Sequence, residues 1–226
     1  QGDWLRIAAG TTHATVGTDE QVRSAVPLLT RATPLIGHFQ IRSRGTLGGS
    51  IAHADPAAEY PAVAVAPDAE METVSPSGRR TVPARDFFSG VWETAMASDE
   101  ILTAVRFPVW SGRCGFAVEE FARRHGDFAI AGVAVAVELD GDDRVRRCGI
   151  GLLGLSATPR RATAAESAVT GRAVGEVSID DVGELAMAGL DDIPADLQGS
   201  ADYRRRVGAA MAAQAWQQAT KEALDA

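Results

Sequence analysis

The chain has 226 residues, a formal net charge of −8 and a hydrophobic fraction of 46%, which suits one large or two small domains with a sizeable core. The acidic balance argues against a general nucleic-acid binder, which needs a basic face. Cys114 and Cys148 stand far apart and fit no zinc or iron–sulfur spacing, no apolar run can span a membrane, and no signal peptide opens the chain, so a reduced, cytosolic protein is expected.

The chain opens at Gln1 without a Met, and Leu5 to Ala9 already reads as a strand, so further chain is expected upstream. That strand leaves through Gly10 into a polar turn. Thr18 and Gln21 have capping-box spacing and predict a helical stretch. Its apolar positions Val22, Ala25, Val26, Leu29, Ala32 and Ile36 keep roughly helical spacing, while Pro27 and Pro34 should kink or split it. A glycine-rich loop follows, then "AAEYPAVAVA", a short helix. "EMETVSPSGRRTV" alternates around a Ser-Pro-Ser-Gly turn and predicts a hairpin. "EILTAVRFP" reads as a strand ended by Pro108.

The pattern then changes. "VEEFARRHGDFAIAGVAVAVELDGDDRVRRCGIGLLGLS" predicts three antiparallel strands, with the turn at Asp140-Gly141-Asp142-Asp143. Val133, Val135, Val137 and Leu139 alternate with Ala134, Ala136 and Glu138, a small face on which a helix can pack closely. Helices are expected from Thr158-Pro159, from Ser178 with Asp181, and from Ser200 to the C-terminus. The last carries the low-profile run "GAAMAAQA". A domain boundary is placed near Trp110–Gly115, giving units of 1–112 and 113–226.

The segment Ile41–Ile51 holds Arg42 and Arg44 and no acid, inside an acidic chain. Thr46 and Ser50 bracket Gly48-Gly49, so hydroxyls sit beside backbone N–H groups that nothing bulky screens. That suits an anion, and a nest of successive N–H groups binds phosphate. Asp55 and Glu59 lie just downstream, where carboxylates can accept hydrogen bonds from sugar hydroxyls. No Gly-Lys-Ser/Thr follows, so this is not a Walker A motif. "GTLGGS" also lacks the G-x-G-x-x-G spacing and follows a helical stretch, which excludes the Rossmann fingerprint. The plainer reading of a Gly-Gly pair is a turn.

"QIRSRGTLGGSIAHADPAAEYP" resembles the second flavin-binding motif of the FAD subunit of molybdenum hydroxylases, with the aerobic carbon monoxide dehydrogenase medium subunit as the nearest type. Xanthine dehydrogenase carries the same domain in a longer chain. "LRIAAGTTHA", "EFARRHGDFAIAGVAVAV" and "DLQGSADYRRRVGAAMAAQA" resemble that family in the same order. The resemblance implies an α+β chain: a flavin-binding domain of the vanillyl-alcohol-oxidase (PCMH) type, then a C-terminal domain of a three-stranded antiparallel sheet with helices. It also implies a first glycine-rich motif in an N-terminal lobe, to which this sequence has no counterpart.

By the same resemblance, Thr46, Gly48, Gly49 and Ser50 contact the FAD diphosphate and nearby flavin atoms. Glu59 aligns with an acidic residue used near the FAD, the alternative being a solvated surface acid. Asp55 either joins it or caps a helix opening at Pro56. Asp127 lies in a region placed beside the flavin face, and a turn-stabilising Asp is the alternative. Arg123 and Arg124 either line a path to an electron donor or form a solvated face. His13, His38, His53 and His125 form no metal cluster, and no nucleophile–base pair stands out, so neither catalytic nor metal-binding residues are assigned. The implied role is electron transfer from iron–sulfur centres through FAD to an external acceptor. The 2Fe-2S clusters belong to a small subunit and the molybdenum cofactor to a large molybdopterin-binding subunit, in a dimer of heterotrimers. Such an assembly lies in the cytoplasm, or at the inner face of the membrane through its partners. A stand-alone flavoprotein of the same fold and a non-catalytic assembly module are the alternatives.

Overall fold

The computed structural model describes residues 3–226. Strand β1 (Trp4–Ala8) is followed by α1 (His13–Thr18), α2 (Glu20–Ala25), α3 (Pro27–Ala32) and a 3₁₀ turn at Thr33–Leu35. Pro27 opens α3, where its missing N–H costs nothing, and Pro34 sits in the 3₁₀ turn, so the two prolines split the helical stretch. The start signal differs from the capping box expected at Thr18. Asp19 caps α2, its Oδ1 accepting from the N–H groups of Gln21 (2.8 Å) and Val22 (3.1 Å). Thr18 ends α1 and donates to the Ala14 carbonyl. Of the two neighbours, the carboxylate also complements the positive end of the helix.

Next come α4 (Phe39–Arg42), α5 (Leu47–His53) and α6 (Glu59–Val65). The predicted hairpin forms as β2 (Glu70–Ser75) and β3 (Gly78–Pro83), paired from Glu70↔Pro83 to Ser75↔Gly78. After α7 (Ala84–Phe87) a small hairpin, β4 (Phe88–Gly90) and β5 (Glu93–Thr94), precedes β6 (Ile101–Pro108). β6 pairs antiparallel with both β1 and β2, giving the order β1-β6-β2-β3. Ile7, Met71, Val105 and Phe107 turn inward onto α1–α3 and α6, while Arg6–Glu72 (2.8 Å) and Arg106–Glu70 (3.0 Å) pair on the opposite, wetter face.

The second half holds β7 (Arg113–Phe121), β8 (Ala131–Leu139), β9 (Val145–Leu153) and a two-residue edge strand, β10 (Arg160–Arg161), all antiparallel in the order β10-β9-β8-β7. Helices α8 (Thr163–Val169), α9 (Ile179–Ala186) and α10 (Ala201–Asp225) follow. The three expected strands are present. The helix start expected at Thr158-Pro159 is displaced to Thr163, because Arg160 and Arg161 pair with Leu152 and Gly151 of β9. Arg161 is held there by Glu166 (2.8 Å) and by Asp68. Ser178 and Ser200 cap α9 and α10.

β8 is buried on both faces. Val133, Val135, Val137 and Leu139 join Trp216 and the alanines of α10 in one core, whereas Ala134 and Ala136 belong to the core of the first half. The helix that uses the small face is therefore α6, contributed by the first half. Gly149 and Gly151 of β9 complete that face, and the Ala66 and Ala62 carbonyls of the α6 region lie where their Cβ atoms would be. Arg31 on α3 ties the halves further, donating to both oxygens of Glu222 on α10 (2.7 and 2.6 Å). Among the described residues no helix is long and apolar enough to cross a membrane.

Candidate functional site

The segment expected as a glycine-rich loop is the start of a helix. Thr46 is the N-cap of α5, and its Oγ1 accepts from the Gly49 N–H (3.0 Å). The Thr46 carbonyl accepts from Ser50 (3.0 Å), while the N–H groups of Leu47 and Gly48 cross to the carbonyls of Thr11 and Ala9, both at 2.9 Å. All four donors are thus engaged inside the chain. The expected nest of free N–H groups does not form from these residues, because the first turn of a helix must satisfy its own orphan donors.

The two glycines have different surroundings. Gly48 is buried, and a Cβ there would stand 2.7 Å from Ala9 Cα and 2.8 Å from its carbonyl oxygen. Its small size serves the packing of α5 against the end of β1. Gly49 is exposed, and a Cβ there would meet only Thr46 Oγ1, at 2.9 Å. The open face of this helix start is therefore Gly49 with the hydroxyls of Thr46 and Ser50, and Arg44 is exposed nearby. Thr46 keeps its hydroxyl proton to donate. These residues fit an oxyanion through hydroxyl donors and close backbone approach at Gly49, with no preformed N–H cradle.

Asp55 takes a structural position. Its Oδ1 accepts from Ala57 N–H (2.9 Å) and its Oδ2 from Trp92 Nε1 (3.0 Å). The expected helix at Pro56 begins instead at Glu59, with no side-chain cap. Trp92, at the tip of the β4–β5 hairpin, has φ 59°. Its N–H reaches the Ala54 carbonyl (3.3 Å), and its ring lies nearly parallel to that of His53, with centroids 6.2 Å apart. The indole is 64% exposed although both its backbone and its Nε1 are tied down.

Glu59 and Asp127, 68 positions apart in the sequence, line one cavity of about 130 Å³ with Gly37, Ile41 and Phe128. Two glycines permit the closure. Gly37 (φ 47°) and Gly126 (φ 85°) touch, and a Cβ on Gly126 would stand 2.8 Å from the Gly37 carbonyl oxygen. Arg42 braces the same wall by donating to the carbonyls of Ile36 (3.0 Å) and Gly37 (2.9 Å). Glu59 is only 7% exposed, and burial, with a smaller push from Asp55, raises its carboxyl to about 7 against the pull of its own N–H. Glu120 on β7 is raised to about 8, by burial first and then by the charge of Glu59. Phe39, Ile41 and Phe128 are exposed. With Ile41 and Phe128 on its apolar side and carboxyls on its polar side, this cavity suits a flat, uncharged group with hydrogen-bonding edges.

The structure thus brings Glu59 and Asp127 together. It leaves Thr46, Gly49 and Ser50 at the start of α5, outside the lining of that cavity, puts Gly48 in the packing layer, and ties Asp55 to Trp92. Arg123 reaches the Leu197 carbonyl (3.3 Å) and Arg124 is exposed. Sequence reasoning missed Glu120, Trp92 and Gly37. Glu120 had a signal: Phe116 and Val118, which share its strand face, belong to or pack against the first-half core. Trp92 and Gly37 had none, since an exposed indole and a loop–loop contact leave no periodicity.

Comparison with known proteins covers nearly the whole chain. Residues 1–110 match the model of the FAD binding domain in molybdopterin dehydrogenase, and residues 116–219 that of the CO dehydrogenase flavoprotein C-terminal domain. The chain is 37% identical over 203 residues to the 6-hydroxypseudooxynicotine dehydrogenase complex subunit alpha of Paenarthrobacter nicotinovorans, covering 90% of this chain and 68% of that one. It is 33% identical over 211 residues to the carbon monoxide dehydrogenase medium chain of Hydrogenophaga pseudoflava, covering 93% and 73%. A solved carbon monoxide dehydrogenase from Hydrogenophaga pseudoflava superposes with a TM-score of 0.94 at 35% identity, covering 98% of this chain and 77% of that chain.

Proposed function

We infer the function of this chain from its family: it belongs to the FAD-binding medium subunits of the molybdenum hydroxylases. It is accordingly a flavoprotein subunit of an oxidoreductase, with a flavin-binding domain followed by a C-terminal domain. Its proposed work is to pass electrons from the iron–sulfur centres of a small subunit, through FAD, to an external acceptor. Substrate is oxidised at molybdenum in a large subunit, the complex is a dimer of heterotrimers, and it works in the cytoplasm. The division into units of 1–112 and 113–226 is part of this reading, supported by the separation of the two four-stranded sheets.

When bound, FAD supplies the redox chemistry, and the protein supplies binding and orientation. In this reading Thr46 and Ser50 would hold the diphosphate by hydrogen bonds from their hydroxyls, and Gly49 would give it close approach. Gly48 keeps α5 seated on β1, and Asp55 holds the Trp92 hairpin against the end of α5. Glu59 and Asp127 bond the uncharged edges of the cofactor, while Ile41 and Phe128 give the cavity its apolar side. The observation that carries the reading is the convergence of Glu59 and Asp127, remote in sequence, in one cavity.

The test is to purify the full-length protein from its native host, record its absorption spectrum, and identify any extracted cofactor and copurifying subunits. FAD together with a molybdopterin subunit and an iron–sulfur subunit is the expected result. A flavin-loaded protein that migrates alone would instead indicate a self-sufficient flavoprotein, and a colourless one an assembly module.

A further inference from the structure

Strands β4 and β5 pair at Phe88↔Thr94 and Gly90↔Glu93, which leaves Val91 and Trp92 as the tip of a tight hairpin. Trp92 has a left-handed backbone (φ 59°), a conformation that turns ordinarily give to glycine or asparagine. Its N–H donates to the carbonyl of Ala54 (3.3 Å), the residue that closes α5 and is itself left-handed (φ 53°). Among the described residues four that are not glycine have positive φ, and two of them meet here. Backbone outliers persist where the surroundings over-determine them, and they gather at ligand sites.

What the outlier secures is the indole. Nε1 donates to Asp55 Oδ2 (3.0 Å) and the ring lies nearly parallel to that of His53, yet the residue is 64% exposed. An aromatic side chain held at three points and left open to solvent has little rotamer freedom to lose when a second ring stacks on it. The helix beside it indicates what carries that second ring. Leu47, Gly48 and Ile51 form the buried side of α5, while Thr46, Gly49, Ser50 and His53 recur at three- and four-residue spacing on the side that is open. Hydroxyls stand at one end of that side and the His53–Trp92 rings at the other, with about 6 Å of helix axis between Gly49 and His53. A nucleotide presents its groups in the same order: phosphate, one sugar, planar ring.

We propose that Trp92, backed by His53, is the stacking platform for a planar aromatic ring of a bound nucleotide whose phosphates lie along the Thr46–Ser50 side of α5. The identity of the nucleotide rests on the flavin reading above. FAD carries two such rings, a purine and an isoalloxazine, and either meets an aromatic face in the same way. Asp55 is a positioning residue in this arrangement: its Oδ1 is engaged by the Ala57 N–H, and its Oδ2 acts on the ligand only through Trp92 Nε1.

The test titrates two probes into the flavin-free complete subunit and into its W92F and W92A variants. ADP carries only the purine and FMN only the isoalloxazine. Both substitutions remove the Nε1 bond to Asp55, and only W92A removes the ring. W92A should weaken one probe by about fivefold or more, the lower end of base–aromatic stacking, and leave the other within about twofold. W92F should keep most of the affinity, a result that a merely structural role for the Asp55 tie would not give. Loss of ADP assigns the stacked ring to the purine, and loss of FMN assigns it to the isoalloxazine. Unchanged affinity for both probes, an equal loss for both, or a W92F as weak as W92A would overturn the platform while leaving the flavin reading in place. Wild-type protein that binds neither probe would overturn the flavin reading, and this proposal with it.

Discussion

Substituting alanine at Gly48 and at Gly49, one at a time, separates what the fold needs from what a ligand needs. A Cβ at Gly48 would stand 2.7 Å from Ala9 Cα and 2.8 Å from the Ala9 carbonyl oxygen, which also accepts the Gly48 N–H at 2.9 Å. Neither neighbour is the end of a flexible side chain, so α5 must lift from β1. Overpacking of this kind costs about 1–3 kcal/mol, and weakening the N–H to Ala9 bond adds about 0.5–1.5 kcal/mol. Alanine in a helix returns about 1 kcal/mol relative to glycine. The net loss for Gly48→Ala is about 1–3 kcal/mol, or a fall in Tm of roughly 2–12 °C for a chain of this size. At Gly49 the new methyl meets only Thr46 Oγ1, at 2.9 Å. The helix gain and a slight displacement of the cap nearly cancel, so Tm should change by less than about 3 °C. Flavin content should show the opposite order, with Gly49→Ala losing cofactor at nearly unchanged Tm. Thermal melts and cofactor stoichiometry on the complete subunit provide both readings. An unchanged Tm for Gly48→Ala would refute the packing argument, and full occupancy in Gly49→Ala would refute close approach there.

Thr46→Ala removes the cap of α5, at a cost of about 1 kcal/mol, and one hydroxyl donor, whereas Thr46→Ser restores both; flavin retention that tracks the hydroxyl is the expected result. Gly151→Ala places a methyl 3.0 Å from the Ala62 carbonyl carbon and 3.2 Å from Ala66 Cβ. It should lift α6, which carries Glu59, and cost about 1–3 kcal/mol; a melt with unaltered Tm would count against the tight α6–β9 contact. Arg204 is buried on α10, bonded to the carbonyls of Ile130 (2.6 Å) and Gly154 (3.2 Å) and to both oxygens of Asp196. Arg204→Ala strands these acceptors and should lose about 3 kcal/mol, measurable by denaturant unfolding. Trp92→Ala removes the hydrogen bond from Nε1 to Asp55 and should cost about 0.5–1.5 kcal/mol; an unchanged Tm would mean that this tie does not hold the hairpin against the end of α5.

The sequence by itself determined the elements whose signal is local. Alternation placed the β2–β3 hairpin and β6 to β9. The prolines divided the helical stretch, and Ser178 and Ser200 marked α9 and α10. In each case the decisive contact lies within a few residues or within one strand's own period. The resemblance carried by four motifs led to the family, because those motifs persist in order along the chain. Tertiary structure decided the rest. Whether Asp19 or Thr18 caps α2, and whether Arg160–Arg161 is strand or helix, depended on which partner lay in reach. Gly48 and Gly49 look alike in sequence, yet one faces Ala9 in the turn just past a distant strand and the other faces solvent. The small face of β8 was legible, but not that α6 from the other half would occupy it. Glu59 and Asp127 line one cavity only because Gly37 and Gly126 let two remote loops approach. A carboxyl's chemistry follows from what surrounds it, and for these two the surroundings come from segments tens of residues away.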